Sequence, residues 1–90
     1  RRPALVLSPR PFNENSHTLL AMITTQSHSP WPGDTNIKEL PAAGLHSSCI
    51  VRLKVFTLDN RLIIRRSGCL SDRDRKNVAE SVRLYLVATL

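Results

Sequence analysis

The sequence predicts one small, mainly β domain: a highly curved sheet or barrel with a helix packed against it at the C-terminal end. Two apolar runs, at residues 4–8 and 18–24, have the length and density of buried strands. Residues 49–57 alternate between two faces, which is typical of a further strand. After Ser71, apolar residues recur at helical spacing. Several short strands followed by one helix favour a small sheet that the helix covers.

The N-terminal third is predicted to contain two strands and a loop. The run at residues 4–8 ends at Pro9, which cannot donate to a sheet ladder. The run at residues 18–24 fits a strand that is covered on both faces, although a short buried helix has the same pattern. Residues 9–16, which are rich in Pro and Asn, are predicted to form the loop between them.

The middle of the chain alternates turn and strand signals. Pro32 and Gly33 suit the two central positions of a type II turn, because glycine accepts the positive φ that the second position requires. Residues 35–37 are predicted as another short strand, and residues 41–48 as a connector.

The clearest strand covers residues 49–57. Alternation assigns one face to Cys49, Val51, Leu53 and Val55, and the other to Ile50, Arg52, Lys54 and Phe56. The "LDN" that follows is predicted to form a tight turn, after which residues 61–65 return as a basic strand. The sequence therefore predicts a hairpin here.

The C-terminal helix begins with a clear capping signal. Ser71 opens "SDRD", the pattern in which a serine caps the helix and an acid three residues later completes a capping box. Both acids lie in the first turn, where the helix dipole favours negative charge. Val78, Val82, Tyr85 and Leu86 then form one apolar stripe, which we expect to be buried.

The composition restricts the class of protein. The 90 residues are enough for a single domain, and 41% of them are apolar, as in a folded chain rather than a disordered one. The formal net charge of +6 indicates a polyanionic partner, such as nucleic acid, an acidic peptide or a membrane face, or else simple solubility. No run of about 18 apolar residues occurs, so no membrane-spanning segment is predicted.

Two cysteines, Cys49 and Cys69, lie in apolar surroundings. Neither belongs to a Cys-x-x-Cys pair or to a Cys/His cluster with metal-ligand spacing, so we predict no metal site and no cofactor. Buried free thiols, as in a reducing cytoplasm, are the expected state. A disulfide between the two cysteines is the alternative that the sequence leaves open.

Six short segments, taken together, resemble one known family. They are "RRPALVLS", "MITTQ", "WPGD", "AGL", "VRLKVFTLD" and "LSDRD", in this order and at suitable distances over nearly the whole chain. The sequence resembles the MazF/PemK family of toxin–antitoxin ribonucleases, specifically its PemK-like branch. The resemblance implies an SH3-like small barrel over residues 1–90, with a C-terminal helix. Family members usually carry a further strand before the "RP" motif, so the resemblance also implies that this domain lacks the N-terminal first strand.

The resemblance implies a function as well. Family members are cytoplasmic homodimers that cut single-stranded RNA without a metal ion, by attack of the ribose 2′-OH, and an acidic antitoxin holds them inactive. No membrane partner is implied. Two alternatives remain open from the residues: a non-catalytic RNA-binding barrel, and a degenerate toxin whose remaining activity is to bind an antitoxin-like peptide.

The resemblance assigns catalytic roles to Arg2 and Thr24, which match the family's catalytic pair. Cleavage needs groups that move protons and donors for the charged phosphorane. A guanidinium can hold two phosphate oxygens at once, and a threonine hydroxyl donates without adding charge. From the residues alone, a solvated arginine at a strand start and a threonine with high β-propensity explain the same two positions.

Further residues are expected to contact RNA. They are Arg1, Thr25, Gln26, His28, Trp31, Arg52 and Lys54. Trp31 suits either stacking on a splayed base or filling the space under its own loop. Arg52 and Lys54 stand where better-known family members carry an acid, which leaves the general base unassigned, and both also suit solvated positions on a half-exposed strand. His28 is the histidine nearest in sequence to the predicted site.

Overall fold

The computed structural model describes residues 2–25 and 29–90. In chain order the elements are β1 (Ala4–Val6), α1 (Arg10–Asn13), β2 (His17–Thr25), β3 (Thr35–Asn36), β4 (Cys49–Asp59), a 3-10 turn (Asn60–Leu62) and α2 (Asp72–Tyr85). Short strands followed by one C-terminal helix confirm the predicted mainly β class. Each of the predicted strands at residues 4–8, 18–24, 35–37 and 49–57 overlaps an observed one.

The four strands form one antiparallel sheet in the order β1-β2-β4-β3. The two long strands, β2 and β4, pair along their whole length, from His17 opposite Asp59 to Thr25 opposite Cys49. The register shifts once: Ala21 faces Val55, but the next residue of β2 faces Arg52. The extra residues of β4 form a bulge, which bends a sheet and increases its twist. The sheet is accordingly curled into a half-barrel.

The two faces of the curled sheet have different roles. The core on the helix side is built by Ala21, Ile23, Ile37, Val51 and Val78. Because side chains alternate along a strand, Leu20, Met22 and Thr24 lie on the opposite face of β2, away from α2. We call this opposite face the inner face of the half-barrel.

Helix α2 begins at the predicted capping residue, Ser71. The Ser71 hydroxyl accepts a hydrogen bond from the Asp74 amide at 3.1 Å, which caps the helix. The Asp74 side chain is fully buried and accepts hydrogen bonds from the amides of Lys38 and Glu39, both at 2.9 Å. Asp74, which was predicted to complete a capping box with Ser71, instead ties the segment after β3 to the first turn of the helix.

The apolar stripe of α2 is buried only in its first half. Val78 is 5% exposed and Val82 packs against the core, whereas Tyr85 and Leu86 are 58% and 41% exposed. The expectation of a fully buried stripe is therefore wrong for its C-terminal end. The last turn of the helix, after Val82, is therefore only partly covered by the rest of the chain.

Two predictions of secondary structure are wrong. The predicted loop at residues 9–16 contains the short helix Arg10–Asn13, with Pro11 near its start, where the missing amide costs no hydrogen bond. The predicted basic strand at residues 61–65 does not form: the chain makes a 3-10 turn at Asn60–Leu62, and no strand follows before α2 in residues 63–71, all of which the structure describes.

Side-chain hydrogen bonds explain why the predicted hairpin does not form. Asn60 donates from its amide to the carbonyl of Asn13 at 2.8 Å and accepts from the Thr18 hydroxyl at 2.7 Å. The Asp59 carboxylate accepts from the Arg61 amide at 2.9 Å. These bonds hold the turn against β2 and α1, so the chain leaves the edge of β4 instead of pairing with it.

Both cysteines are free thiols, which agrees with the expected state. Cys49 is half-buried, but Cys69 is exposed, so the predicted burial of Cys69 is wrong. Cys69 follows the irregular segment that replaces the predicted second strand of the hairpin. Among the helices of residues 2–25 and 29–90, none has the length and apolar character needed to cross a bilayer.

Replacing Asp74 by Asn is expected to destabilise the fold by about 2 kcal/mol, because its amide nitrogen would face a backbone donor. Burial raises the pKa of Asp74, but hydrogen bonds from Lys38, Glu39 and Ser71 outweigh it and bring the pKa below the usual 3.8. The wild-type stabilisation is therefore present above the unfolded value and is lost as the pH falls through the lowered folded value.

Urea unfolding at neutral pH and at progressively lower pH measures both effects. The control is Asp72→Asn, which removes an exposed carboxylate from the same helical turn. The control should change the free energy of unfolding by no more than about 0.5 kcal/mol. Equal losses in the two variants would contradict the structural role assigned to the buried carboxylate.

Candidate functional site

The predicted catalytic pair lies at one end of the half-barrel. In the β1–β2 pairing, Ala4 faces Met22 and Val6 faces Leu20. Continuing this antiparallel register two residues towards the N terminus puts Arg2 opposite Thr24. Arg2 is exposed, and Thr24 is half-buried at the end of β2. The fold thus brings the segment before β1 to the end of β2 that carries Thr24.

The two threonines at the end of β2 differ in the face that they occupy. Thr24 alternates with Met22 and so lies on the inner face, as does Arg2 by the continued register. Thr25 lies on the helix-side face, is exposed, and pairs with Cys49. Of the two, only Thr24 shares a face with Arg2.

Arg52 lies on the inner face, opposite Met22 and diagonal to Thr24. It is 9% exposed. Its Nε and Nη2 atoms donate to the two carboxylate oxygens of Asp34 at 3.1 and 2.8 Å, and Nη2 also donates to the carbonyl of Ser29 at 3.0 Å. The guanidinium predicted to contact RNA is therefore bound to a carboxylate of its own chain.

Both members of this ion pair stay charged. The hydrogen bond from Arg52 holds the pKa of Asp34 below its usual range, against the opposing effect of partial burial. The same hydrogen bond raises the pKa of Arg52. A carboxylate with a lowered pKa and both oxygens engaged is a weak proton acceptor. No sequence motif marks Asp34 as a site residue, although it is the last residue of the predicted turn.

The turn that carries Asp34 has the predicted geometry. The Asp34 amide donates to the carbonyl of Trp31 at 3.0 Å, and Gly33 has a φ of 82°. These features agree with a type II turn. A Cβ atom on Gly33 would lie 2.6 Å from a methyl of Leu53, so the turn rests directly on β4. The Asp34 carboxylate also accepts from the Trp31 amide at 3.0 Å.

Trp31 and Lys54, both predicted to contact RNA, meet beside this turn. The Lys54 ammonium lies over the indole, with Nζ 4.6 Å from the ring centroid, which is within cation–π distance. Lys54 belongs to the bulged part of β4, and its side chain reaches the turn from there. Trp31 is 40% exposed, so it does not fill a closed space under its loop.

The three remaining predicted residues, Arg1, Gln26 and His28, lie outside the residues that the structure describes. Of the other two histidines, His17 begins β2 at the end opposite Thr24, and His46 is exposed in the connector. Within residues 2–25 and 29–90, no three His, Cys, Asp or Glu side chains are grouped for a metal ion.

A small cavity lies between β3 and the start of β4. It has a volume of about 190 Å³ and is lined by Asn36, Ile37, Ser48, Cys49 and Ile50. Ile50 pairs with Thr24 on one side and with Asn36 on the other, so the cavity lies at the same end of the sheet. It forms only when β3 meets the connector before β4, and no local sequence pattern signals that contact.

Comparison with known proteins identifies the family. A family model described as "PemK-like, MazF-like toxin of type II toxin-antitoxin system" matches residues 1–86. The chain belongs to this family. The resemblance inferred from the six sequence segments is confirmed, and it covers nearly the whole of this PemK-like chain. No curated protein sequence matches it.

Solved structures support the fold of this PemK-like chain. The "Crystal structure of Mtb toxin" is similar with a TM-score of 0.76 and 20% identity, over 92% of this chain and 90% of that one. The structure of "Mycobacterium tuberculosis toxin MazF-mt6" has a TM-score of 0.76 and 19% identity, over 98% of this chain and 89% of that one. The predicted MazF/PemK-like fold, mainly β with a C-terminal helix, is thereby confirmed.

Proposed function

We propose that this toxin is an endoribonuclease that cleaves single-stranded RNA, including mRNA, by using the ribose 2′-OH as the nucleophile. One observation carries the proposal: Ala4 of β1 pairs with Met22 of β2, and the same register continued two residues before β1 would put Arg2 opposite Thr24, on the face of the sheet that the helix leaves uncovered. Membership of a toxin family whose members are generally endoribonucleases supports it.

The chemistry needs only donors and proton-transfer groups. The 2′-oxygen forms a bond to the adjacent phosphorus as its proton moves to a base, and the bond from phosphorus to the 5′-oxygen breaks as that oxygen takes up a proton. The products carry a 2′,3′-cyclic phosphate and a 5′-hydroxyl. In this proposal Arg2 holds the phosphate oxygens with its planar fork, and the Thr24 hydroxyl donates to the phosphorane.

The proposed base is not Asp34. Its pKa is lowered and its oxygens accept from Arg52 and Trp31, so it has little tendency to take a proton. His28 is the candidate for the general base or for an RNA contact, because it is the histidine nearest in sequence to Thr24. His17 lies at the opposite end of β2.

The RNA path in this proposal follows the inner face towards Trp31 and Lys54. A net charge of +6 favours a polyanion. An exposed indole can stack on an unpaired base, and the neighbouring ammonium can contact its phosphate. Arg1, Thr25 and Gln26 are proposed as further contacts at the catalytic end. The partners that we propose are RNA, an acidic antitoxin and a second copy of the chain, all in the cytoplasm.

Arg2→Ala and Thr24→Val are each expected to lower the cleavage rate about a hundredfold, because each removes one donor to a developing charge. Thr24→Ser keeps the hydroxyl and should retain most of the activity. Thr25→Ala should cost less than Thr24→Val, since Thr25 lies on the other face, and Arg1→Ala should cost less than Arg2→Ala. Initial rates on a long single-stranded RNA measure the ranking.

Arg10→Ala is the matched control, because it removes an exposed arginine from α1, at the far end of β2. It should leave the rate unchanged. A hundredfold loss in the control, or a larger loss for Arg1→Ala than for Arg2→Ala, would contradict the assignment of the pair.

Cleavage is expected to continue in EDTA and to leave 5′-hydroxyl ends, because the proposed nucleophile belongs to the RNA and needs no metal-bound water. The measurement is end-labelling of the products by a polynucleotide kinase with and without prior phosphatase treatment. Products that carry 5′-phosphates would contradict the mechanism. Wild-type protein that binds the RNA and leaves it intact would favour the non-catalytic alternative.

An acidic antitoxin peptide is expected to displace RNA, because both would occupy the same unpaired cations on the inner face. Arg2 and Lys54 make no salt bridge within the described residues. Competition between the peptide and labelled RNA on the Thr24→Val variant measures this. Simultaneous binding with unchanged RNA affinity would show that the two partners use different surfaces.

A further inference from the structure

Asp34 connects β4 to the turn that carries Trp31. Its carboxylate accepts two hydrogen bonds from Arg52, which lies on the inner face of the half-barrel. Its carboxylate also accepts from the amide of Trp31, and its own amide donates back to the carbonyl of that residue. The side chains of Asp34 and Arg52 are only 19% and 10% exposed, so water competes little for these bonds.

The ion pair therefore fixes the turn at residues 31–34 relative to β4. Arg52 adds a second attachment when it donates to the carbonyl of Ser29, on the other side of the turn. Lys54, two residues further along the same strand, reaches the indole of Trp31. Strand β4 thus sets the position of the Trp31 ring through Arg52, and it also carries Lys54, whose ammonium lies over that ring.

We propose that Asp34 and Arg52 are positioning residues for RNA: their ion pair holds Trp31, with Lys54 beside it, as a stacking platform for one unpaired base, and Arg52 binds no phosphate itself. This inference rests on the proposed function and names the part of the site that holds a nucleobase.

Geometry favours positioning over direct phosphate contact. If the Arg52 guanidinium left Asp34 for a phosphate, the partly buried carboxylate would lose its partner, which costs free energy. The same carboxylate would also repel the anionic ligand beside it. A base, in contrast, needs an aromatic face and little charge. Trp31 is 40% exposed although Lys54 lies over its ring. Lys54 is exposed and has no carboxylate partner within the described residues, so it suits the phosphate that flanks the stacked base.

Asp34→Asn separates the two roles, because they predict opposite changes in affinity. The variant is made in the Thr24→Val background, and the dissociation constant for a single-stranded RNA is measured over a range of salt concentrations. A positioning role predicts binding weaker by about tenfold, the loss of one stacked base, with an unchanged salt slope. A direct phosphate contact predicts tighter binding and a salt slope steeper by about 0.7, because Arg52 without its carboxylate partner neutralises one more phosphate.

Asp59→Asn is the matched control for the change of charge. Asp59 accepts from Arg61 with the same two distances, 3.1 and 2.8 Å, but this pair is at the opposite end of β4 and Arg61 is 89% exposed. The control should leave RNA affinity within about twofold of the parent, as expected for an exposed ion pair. Equal effects in the two variants would overturn the inference.

A double-mutant cycle with Trp31→Leu tests whether Asp34 acts through the ring. If it does, Asp34→Asn should cost no further affinity once Trp31 is replaced, whereas independent effects would add and would overturn the inference. Trp31 is the only tryptophan in the sequence, so the emission maximum of the free protein reports the ring directly. It should shift to longer wavelength in Asp34→Asn and not in Asp59→Asn.

Arg52→Lys provides a second variant should Asp34→Asn fail to fold, because it keeps the charge and removes the fork. Positioning predicts the same red shift and weaker binding; unchanged emission and affinity would overturn it. Wild-type protein that binds no RNA would overturn the proposed function together with this role. Wild-type binding with no difference between Asp34→Asn and Asp59→Asn would overturn this inference alone.

Discussion

The bulged pairing of β2 with β4 is the constraint on which the rest of the molecule depends. It is the longest pairing in the sheet, and its single register shift, next to Ala21, curls the sheet into a half-barrel. The shift leaves Leu53 and Lys54 without direct partners on β2. One of these residues supports the turn at Gly33 and the other reaches Trp31, so the irregularity that bends the fold also builds the candidate RNA surface.

Two carboxylates, one buried and one partly buried, hold irregular segments onto this frame. Asp74 binds two amides after β3 and joins that segment to α2, while Asp34 binds Arg52 and joins the preceding turn to β4. A domain of 90 residues buries little apolar area, so its loops cannot depend on hydrophobic packing alone. Charge-assisted hydrogen bonds supply the missing order, and they do so on both sides of the short strand β3.

The sequence was most informative where a local pattern decides local structure. Alternation predicted β4, the Pro32–Gly33 pair predicted the turn at residues 31–34, and Ser71 predicted the start of α2. Each of these features depends only on residues that are neighbours in the sequence. The predicted hairpin failed because Asn60 bonds to residues of α1 and β2, a contact between distant parts of the chain. For the same reason the sequence does not reveal that Arg52 is bound to Asp34: the two residues are 18 positions apart, and no periodicity connects them.

We propose that the RNA supplies its own nucleophile at a site that includes Arg2 and Thr24. The most direct test compares cleavage of one single-stranded RNA with cleavage of the same sequence methylated at every 2′-oxygen, with the termini of the products identified by mass spectrometry. The account predicts 2′,3′-cyclic phosphate ends from the unmodified RNA and no cleavage of the methylated RNA. Comparable cleavage of both, or the absence of a cyclic phosphate at the earliest times, would contradict it.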